Sequence, residues 1–389
     1  MNNEEMVKEI FPYIDQFKCS KPSIILSLYK DIKRAIEKKK TNIKTEKKLD
    51  SKRDIMETDL FNSRYVPKCL HDYIDAAFTI SLDGPTYVPT KVHYKTEIGD
   101  RKIDIFFILF EKDKKIDSYV NFVISWLMVL EKYAKKKCSK SLKIYFVMTN
   151  LKKELPLDES DILGSKHCNS AVAYVCSPQG EILVYRQQEW FKVFIHETFH
   201  NRGLDFSIMD TSDFNQKIKK LFPIKSEYNL FESYAEFWAT VINCIYNTYM
   251  LLGDKDDNIQ QYFELCIKLE QIFSLFQCMK ILKFMGLSYE HLYNNDNISR
   301  RYLYKEKSNI FAYYIMKAML LYKCDDFLGW CKKHNKISIL QFHNLPAFYE
   351  FIEKHYKDSD FLEDLNKIKL LHMSNLLKNT MRMTLMQIA

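Results

Sequence analysis

Apolar positions recur at helical spacing through residues 3–40, and the period changes at Lys91. Val92–Ile98 and Lys102–Phe110 read as strands, and they flank Gly99-Asp100, a two-residue turn that suits a hairpin. A helical pattern over 117–137 follows, ending in Lys135-Lys136-Lys137, a basic run that complements a helix C-terminus. Leu142–Met148 predicts a third strand. Ala171–Cys176 and Glu181–Arg186 predict two more, joined through Ser177-Pro178-Gln179-Gly180. Beyond Arg186 the chain reads as helical to its end, including 187–202, 229–252, 258–285, 308–323 and 346–357. Five strands with a few helices, followed by a helical half, predict an α+β lobe packed on an α lobe. The expected divisions are a basic helical extension over 1–60, an α+β lobe over 61–207 and a helical lobe over 208–389.

Composition narrows the class. The 389 residues include only 8 Gly and 9 Pro, too few for a collagen-like or linker-rich chain or an all-β fold full of tight turns. With 47% hydrophobic and 14% aromatic residues, the chain can bury a large core. The ten cysteines are scattered without a Cys-x-x-Cys pair, which excludes a zinc ribbon or thioredoxin motif. The start, Met1-Asn-Asn-Glu-Glu-Met-Val-Lys8, is unlike a signal peptide. The longest apolar run, Val120–Leu130, is interrupted by Asn121 and Ser125 and is too short to cross a membrane. These features predict an intracellular protein with reduced thiols and no membrane insertion.

Charge is concentrated. Lys30–Arg53 holds eleven Lys or Arg against four Asp or Glu, which accounts for nearly all of the net charge of +8. Such a segment can meet nucleic acid, but it has no aromatic residue on which a base could stack, and a solvated arm explains it more simply.

The candidate chemistry lies in His196-Glu197-Thr198-Phe199-His200. Two histidines four apart on a helix share a face and can reach one tetrahedral ion, while Glu197 lies beside it, where it could take a proton from metal-bound water. Trp190, Phe191, Val193, Phe194, Ile195 and Phe199 make nearly every face of this helix apolar, so unpaired histidines and a carboxylate would be costly there. Gln187, Gln188 and Glu189 read as its polar first turn and Gly203 as its stop. The best candidate for a third ligand lies in Asn229–Ala239, where Glu232 and Glu236 share one apolar helix face. No Lys or Arg occurs from Ser226 to Asp254, so two buried carboxylates there call for a metal, a histidine partner or both. Asp205 is an alternative, because His196–Gly203 also fits the start of H-E-x-x-H-x-x-G-x-x-H. The position of that pattern's third histidine is Phe206, which cannot ligate.

The motif, a later helical Glu and an acid four residues on resemble the gluzincin class of zinc metallopeptidases. By that resemblance the fold is zincin-like, His196, His200 and Glu232 hold Zn2+, Glu197 is the catalytic base and proton shuttle, and Glu236 orients a ligand histidine. Many members have Asp where this chain has Glu236. The stretch Glu181–Phe206 also resembles uncharacterised predicted metallopeptidases of large nucleocytoplasmic DNA viruses, which implies residence in the host cytoplasm or the virion. The expected activity is hydrolysis of a peptide or protein substrate, with the strand Glu181–Arg186 offering an edge to an extended peptide. The rival reading is a virion-structural or interaction protein that retains a non-catalytic zinc. His167-Cys168 reads as an ordinary loop or core pair, and Cys244, Cys266 and Cys278 read as core thiols. Tyr302, Tyr304 and Tyr313, with Arg300 and Arg301, are the nearest candidates for an oxyanion donor, without a choice among them.

Overall fold

The computed structural model describes residues 2–38, 44–49, 58–80, 89–111, 115–253, 257–294, 298–368 and 374–388. Its strands are β1 (Lys44–Leu49), β2 (Thr90–Ile98), β3 (Arg101–Leu109), β4 (Ser141–Met148), β5 (Leu163–Gly164), β6 (Ala171–Ala173), β7 (Gln179–Val184) and β8 (Glu306–Lys307). The class is α+β, and the chain divides into two compact units. One comprises residues 25–153 and 169–204, the other 1–24, 154–168 and 205–389.

The first unit is built on a mixed six-stranded sheet of order β1-β2-β3-β4-β7-β6. β2 and β3 form the hairpin around Gly99, whose φ of 57° is the left-handed conformation the turn needs. β3, β4 and β7 run parallel. Strands in the middle of a parallel sheet are covered on both faces, which explains their near-continuous apolar runs. Phe106, Ile108, Tyr145, Val147, Leu183 and Tyr185 pack with Leu60, Phe61, Leu70 and Ile74 of the 58–80 segment. On the opposite face Phe107 and Phe146 meet Trp190, and Phe146 also meets Phe194.

Three expectations are corrected here. The helix expected over 117–137 spans Ile116–Leu130, and turns follow it. The Lys135 N–H is bonded to the Arg202 carbonyl and the Lys135 carbonyl accepts from Arg101, so tertiary partners take the backbone groups a longer helix would use. β7 is not an edge strand: β4 pairs along its length and β6 covers Ile182–Val184 on the other side. The thiols are not all reduced, because Cys138 and Cys176 form a disulfide across 38 positions, while the other eight cysteines are not in disulfides. Chain folding brings the pair together, and no local spacing announces it.

The basic segment Lys30–Arg53 falls partly in the helix Leu26–Glu37 and partly in β1, and its residues 39–43 and 50–53 lie outside the described residues. β1 pairs with β2 at one end of the sheet.

The second unit is helical around Phe231–Leu252 and Ile259–Phe284, with the two-stranded pair β5–β8. Several polar groups buried on the second helix bond backbone near the two ends of the chain. Lys268 Nζ donates to the Phe17 carbonyl at 2.6 Å, and Gln271 donates to the Ser20 carbonyl at 2.9 Å. The Glu270 carboxylate accepts from Leu385 N at 3.0 Å and from Met386 N at 2.8 Å. Lys280 donates to the carbonyls of Leu377 and Thr380, and burial lowers its pKa to about 7. Such contacts make the irregular C-terminal tail part of the core. Among the described residues no helix is long and apolar enough to cross a membrane.

The disulfide closes a long loop, so it restricts the unfolded chain. Replacing both Cys138 and Cys176 with Ser is expected to lower stability by about 3–4 kcal/mol. Denaturant unfolding of the variant beside the oxidised wild type checks this; equal midpoints and slopes would show that the bond contributes nothing.

Candidate metal centre

The helix that carries the motif runs from Trp190 to Arg202, and every one of its residues is buried. It begins three residues later than its pattern suggests. Gln188 and Glu189 precede it and are used as anchors: Gln188 Oε1 accepts from Lys153 N at 2.8 Å, and Glu189 pairs with Lys153 at 2.8 Å. Both members of that ion pair are almost fully buried, so removing either would strand a charge. Glu189 adopts a left-handed φ of 61°, which turns the chain from the strand into the helix.

Polar side chains hold the back of the helix. Trp126 Nε1 donates to Thr198 Oγ1 at 2.9 Å, and Thr198 in turn donates to the Ile195 carbonyl at 2.6 Å. Ser139 donates to Asn201 at 2.7 Å and Asn201 donates to the Tyr174 carbonyl at 3.1 Å. At the end, Gly203 N bonds the His200 carbonyl and Leu204 N bonds the Phe199 carbonyl, with Gly203 at φ 64°, a Schellman stop. The disulfide packs on this stop: a Cβ at Gly203 would lie 3.3 Å from Cys176 Sγ and 3.4 Å from Cys138 Sγ. Cys176 N also bonds the His200 carbonyl at 3.2 Å.

With the helix fixed, the Nε2 atoms of His196 and His200 lie 3.0 Å apart. Two nitrogen donors about 2.0–2.1 Å from a tetrahedral ion would be separated by about 3.3 Å, so the pair needs little adjustment to share one. His196, Glu197 and His200 are each less than a tenth exposed.

Glu232 and Glu236 occupy the first two turns of Phe231–Leu252, and both are buried. Asn309 Nδ2 donates to Glu232 Oε1 at 3.1 Å, and Asn309 Oδ1 accepts from Asn229 Nδ2 at 3.1 Å. Glu236 pairs with Lys317 at 3.4 Å, and Lys317 also donates to the Met383 carbonyl. The cation absent from Ser226–Asp254 is therefore supplied from elsewhere in the chain. Asn309 and Lys317 were not legible as site residues, because nothing near them in sequence marks them.

His196, His200 and Glu232 form a group that could hold a metal ion: one ligand atom from each lies within 4.8 Å of the others. Two imidazoles and a carboxylate are a donor set that suits zinc. Asp205 is not in this group. Its Oδ1 accepts from Ser207 N at 2.9 Å and from Ser207 Oγ at 2.6 Å, a local turn. Phe206 packs among Phe214, Phe231, Tyr234, Phe342 and Phe348.

The secondary candidates have structural partners. His167 Nδ1 accepts from Gly164 N at 3.0 Å, and Cys168 Sγ contacts the Gly164 carbonyl. Tyr304 is fully buried and donates to Glu306 at 3.2 Å, while Arg300 donates to the carbonyls of Pro223 and Asn294. Cys244, Cys266 and Cys278 are buried, and desolvation raises each thiol above its ordinary pKa.

No protein-family model matches the chain, and no solved structure matches it. A 203-residue stretch is 25% identical to uncharacterized protein R210 of Acanthamoeba polyphaga mimivirus, which agrees with a viral affinity. The match covers 51% of this chain and 49% of that protein, so the chain spans about half the length of the relative it matches.

Two stability predictions follow from the anchors of the site. Gly203→Ala forces a side chain into the left-handed conformation, so it should cost roughly 1–2 kcal/mol, measurable by denaturant unfolding. Glu306 is raised to about 7 by burial, against an ordinary value of 4.5. Its folded form therefore binds more protons across that window, and its contribution to stability is lost as pH rises from 4.5 to about 7. Glu306→Gln should flatten this part of the stability profile; an unchanged slope would assign it to other groups.

Proposed function

We propose that the chain is a zinc-dependent peptidase with a zincin-like arrangement, in which His196, His200 and Glu232 hold the ion and Glu197 is the acid–base residue. The observation that carries this reading is the buried His196–His200–Glu232 group with a glutamate next to its first histidine. The α+β class and the placing of the motif on a helix directly after a sheet strand support it.

A zinc ion held there would supply a Lewis acid that polarises a scissile carbonyl and lowers the pKa of a bound water. Glu197 then accepts the proton of the attacking water and returns it to the leaving nitrogen. The helix anchors at Lys153, Trp126 and Ser139 keep Glu197 and the histidines in register with one another. Lys317 offsets the charge of the buried Glu236, which in this reading supports the histidine ligands. A purely structural zinc site has no need of Glu197, and this favours an enzyme over a scaffold that retains its metal.

The purified protein is expected to contain about one zinc per chain, Glu232→Ala to lose it and Asp205→Ala to keep it. Glu197→Gln should retain zinc and fold while turnover on a peptide library falls by ~10²–10⁴. Metal analysis on the same samples used for cleavage assays makes the comparison. A folded wild type without metal, or undiminished cleavage by zinc-loaded Glu197→Gln, would sink the proposal. A zinc-loaded wild type that cleaves nothing across the library would favour the scaffold.

A further inference from the structure

We infer that Asn309 is the positioning residue for Glu232. Its side-chain amide, itself held by Asn229, fixes one oxygen of the ligand carboxylate and so sets how Glu232 presents itself to a divalent cation. This rests on the metal site of the proposed function, but names a residue that neither the motif nor its resemblance assigns.

The geometry is a closed ring of hydrogen bonds. Glu232 N bonds the Asn229 carbonyl at 3.1 Å, Asn229 Nδ2 donates to Asn309 Oδ1 at 3.1 Å, and Asn309 Nδ2 donates to Glu232 Oε1 at 3.1 Å. The direction of each bond is forced by chemistry. An ionised carboxylate only accepts, so the amide must turn its NH2 to Glu232, which leaves its oxygen for the Asn229 donor. Turning Asn309 over would set oxygen against carboxylate and NH2 against NH2. An aspartate at 309 has no donor to offer in its ionised form, and an alanine has none at all.

The backbone around Asn309 is held as firmly as its side chain. The Asn309 carbonyl accepts from Tyr313 N at 2.9 Å, and Phe311 N donates to the Glu306 carboxylate at 2.9 Å. The segment then enters a π-helical stretch, Phe311–Met316, a conformation found often at functional sites. Lys317, the partner of Glu236, comes directly after it. One continuous segment, 309–317, therefore holds both buried carboxylates of helix Phe231–Leu252. A carboxylate left to rotate would lose conformational freedom on binding the ion; one already held by an amide loses less.

The test compares wild type, Glu232→Ala, Asn309→Ala, Asn229→Ala and the Asn229→Ala/Asn309→Ala pair. Zinc affinity is measured by chelator competition, apo-protein melting by calorimetry, and the visible absorption of cobalt-loaded samples at saturation. Asn309→Ala should weaken zinc by about 10–100-fold with a changed cobalt spectrum. Asn229→Ala should weaken it less, and the pair should be no weaker than Asn309→Ala alone, because Asn229 acts through Asn309. Wild-type zinc affinity in Asn309→Ala, or a loss that only tracks apo-protein melting with an unchanged cobalt spectrum, would overturn the inference and leave the metal site standing. A wild type that takes up no zinc, or a Glu232→Ala variant that binds as well as wild type, overturns the site itself and this inference with it.

Discussion

A helix with no solvent face cannot leave a polar side chain to water, and the structure around Trp190–Arg202 follows from that constraint. Thr198 is taken by Trp126, Asn201 by Ser139 and Tyr174, and the preceding Glu189 by Lys153. The hydrophobic residues Trp190 and Phe194 of the same helix fill the space over β3 and β4, and Phe191 meets Phe122 of the helix Ile116–Leu130. Apolar packing fixes where the helix lies, and the buried hydrogen bonds fix its rotation. Together they place the Nε2 atoms of His196 and His200 side by side, 3.0 Å apart.

The same constraint governs Phe231–Leu252, where two carboxylates are buried within one turn of each other. Isolated, they would repel and each would bear a large desolvation cost. Their environments are made different. Glu236 receives a cation, Lys317, and Glu232 receives a neutral donor, Asn309.

The disulfide joins these themes. Cys138 and Cys176 meet at the stop of the motif helix, against Gly203, where the backbone also bonds the His200 carbonyl. The covalent tie, the left-handed glycine and the Schellman bonds all act on the turn that carries the second histidine. In the other unit, Glu270 and Lys280 bind the C-terminal tail through its backbone. The buried polar groups of both units thus serve as clamps on irregular segments that apolar packing alone would leave loosely specified.

What the chain's linear order determined is local. The hairpin at Gly99, the apolar runs of β3 and β4, the helices around 190–202, 231–252 and 259–284, and the histidines four apart are all written in spacing, because periodicity and turn chemistry act over a few residues. Glu232 was legible for the same reason, as an acid on an apolar helix face with no cation nearby. The tertiary structure alone decided which groups answer those acids, since Lys317 and Asn309 are ordinary residues until folding brings them to Glu236 and Glu232. It also decided that the helix after Leu130 stops early, that β7 is covered by β6, and that Cys138 and Cys176 are bonded. Each depends on a partner distant in sequence, and pairing across such distances is set by how the whole core packs, which no local pattern encodes.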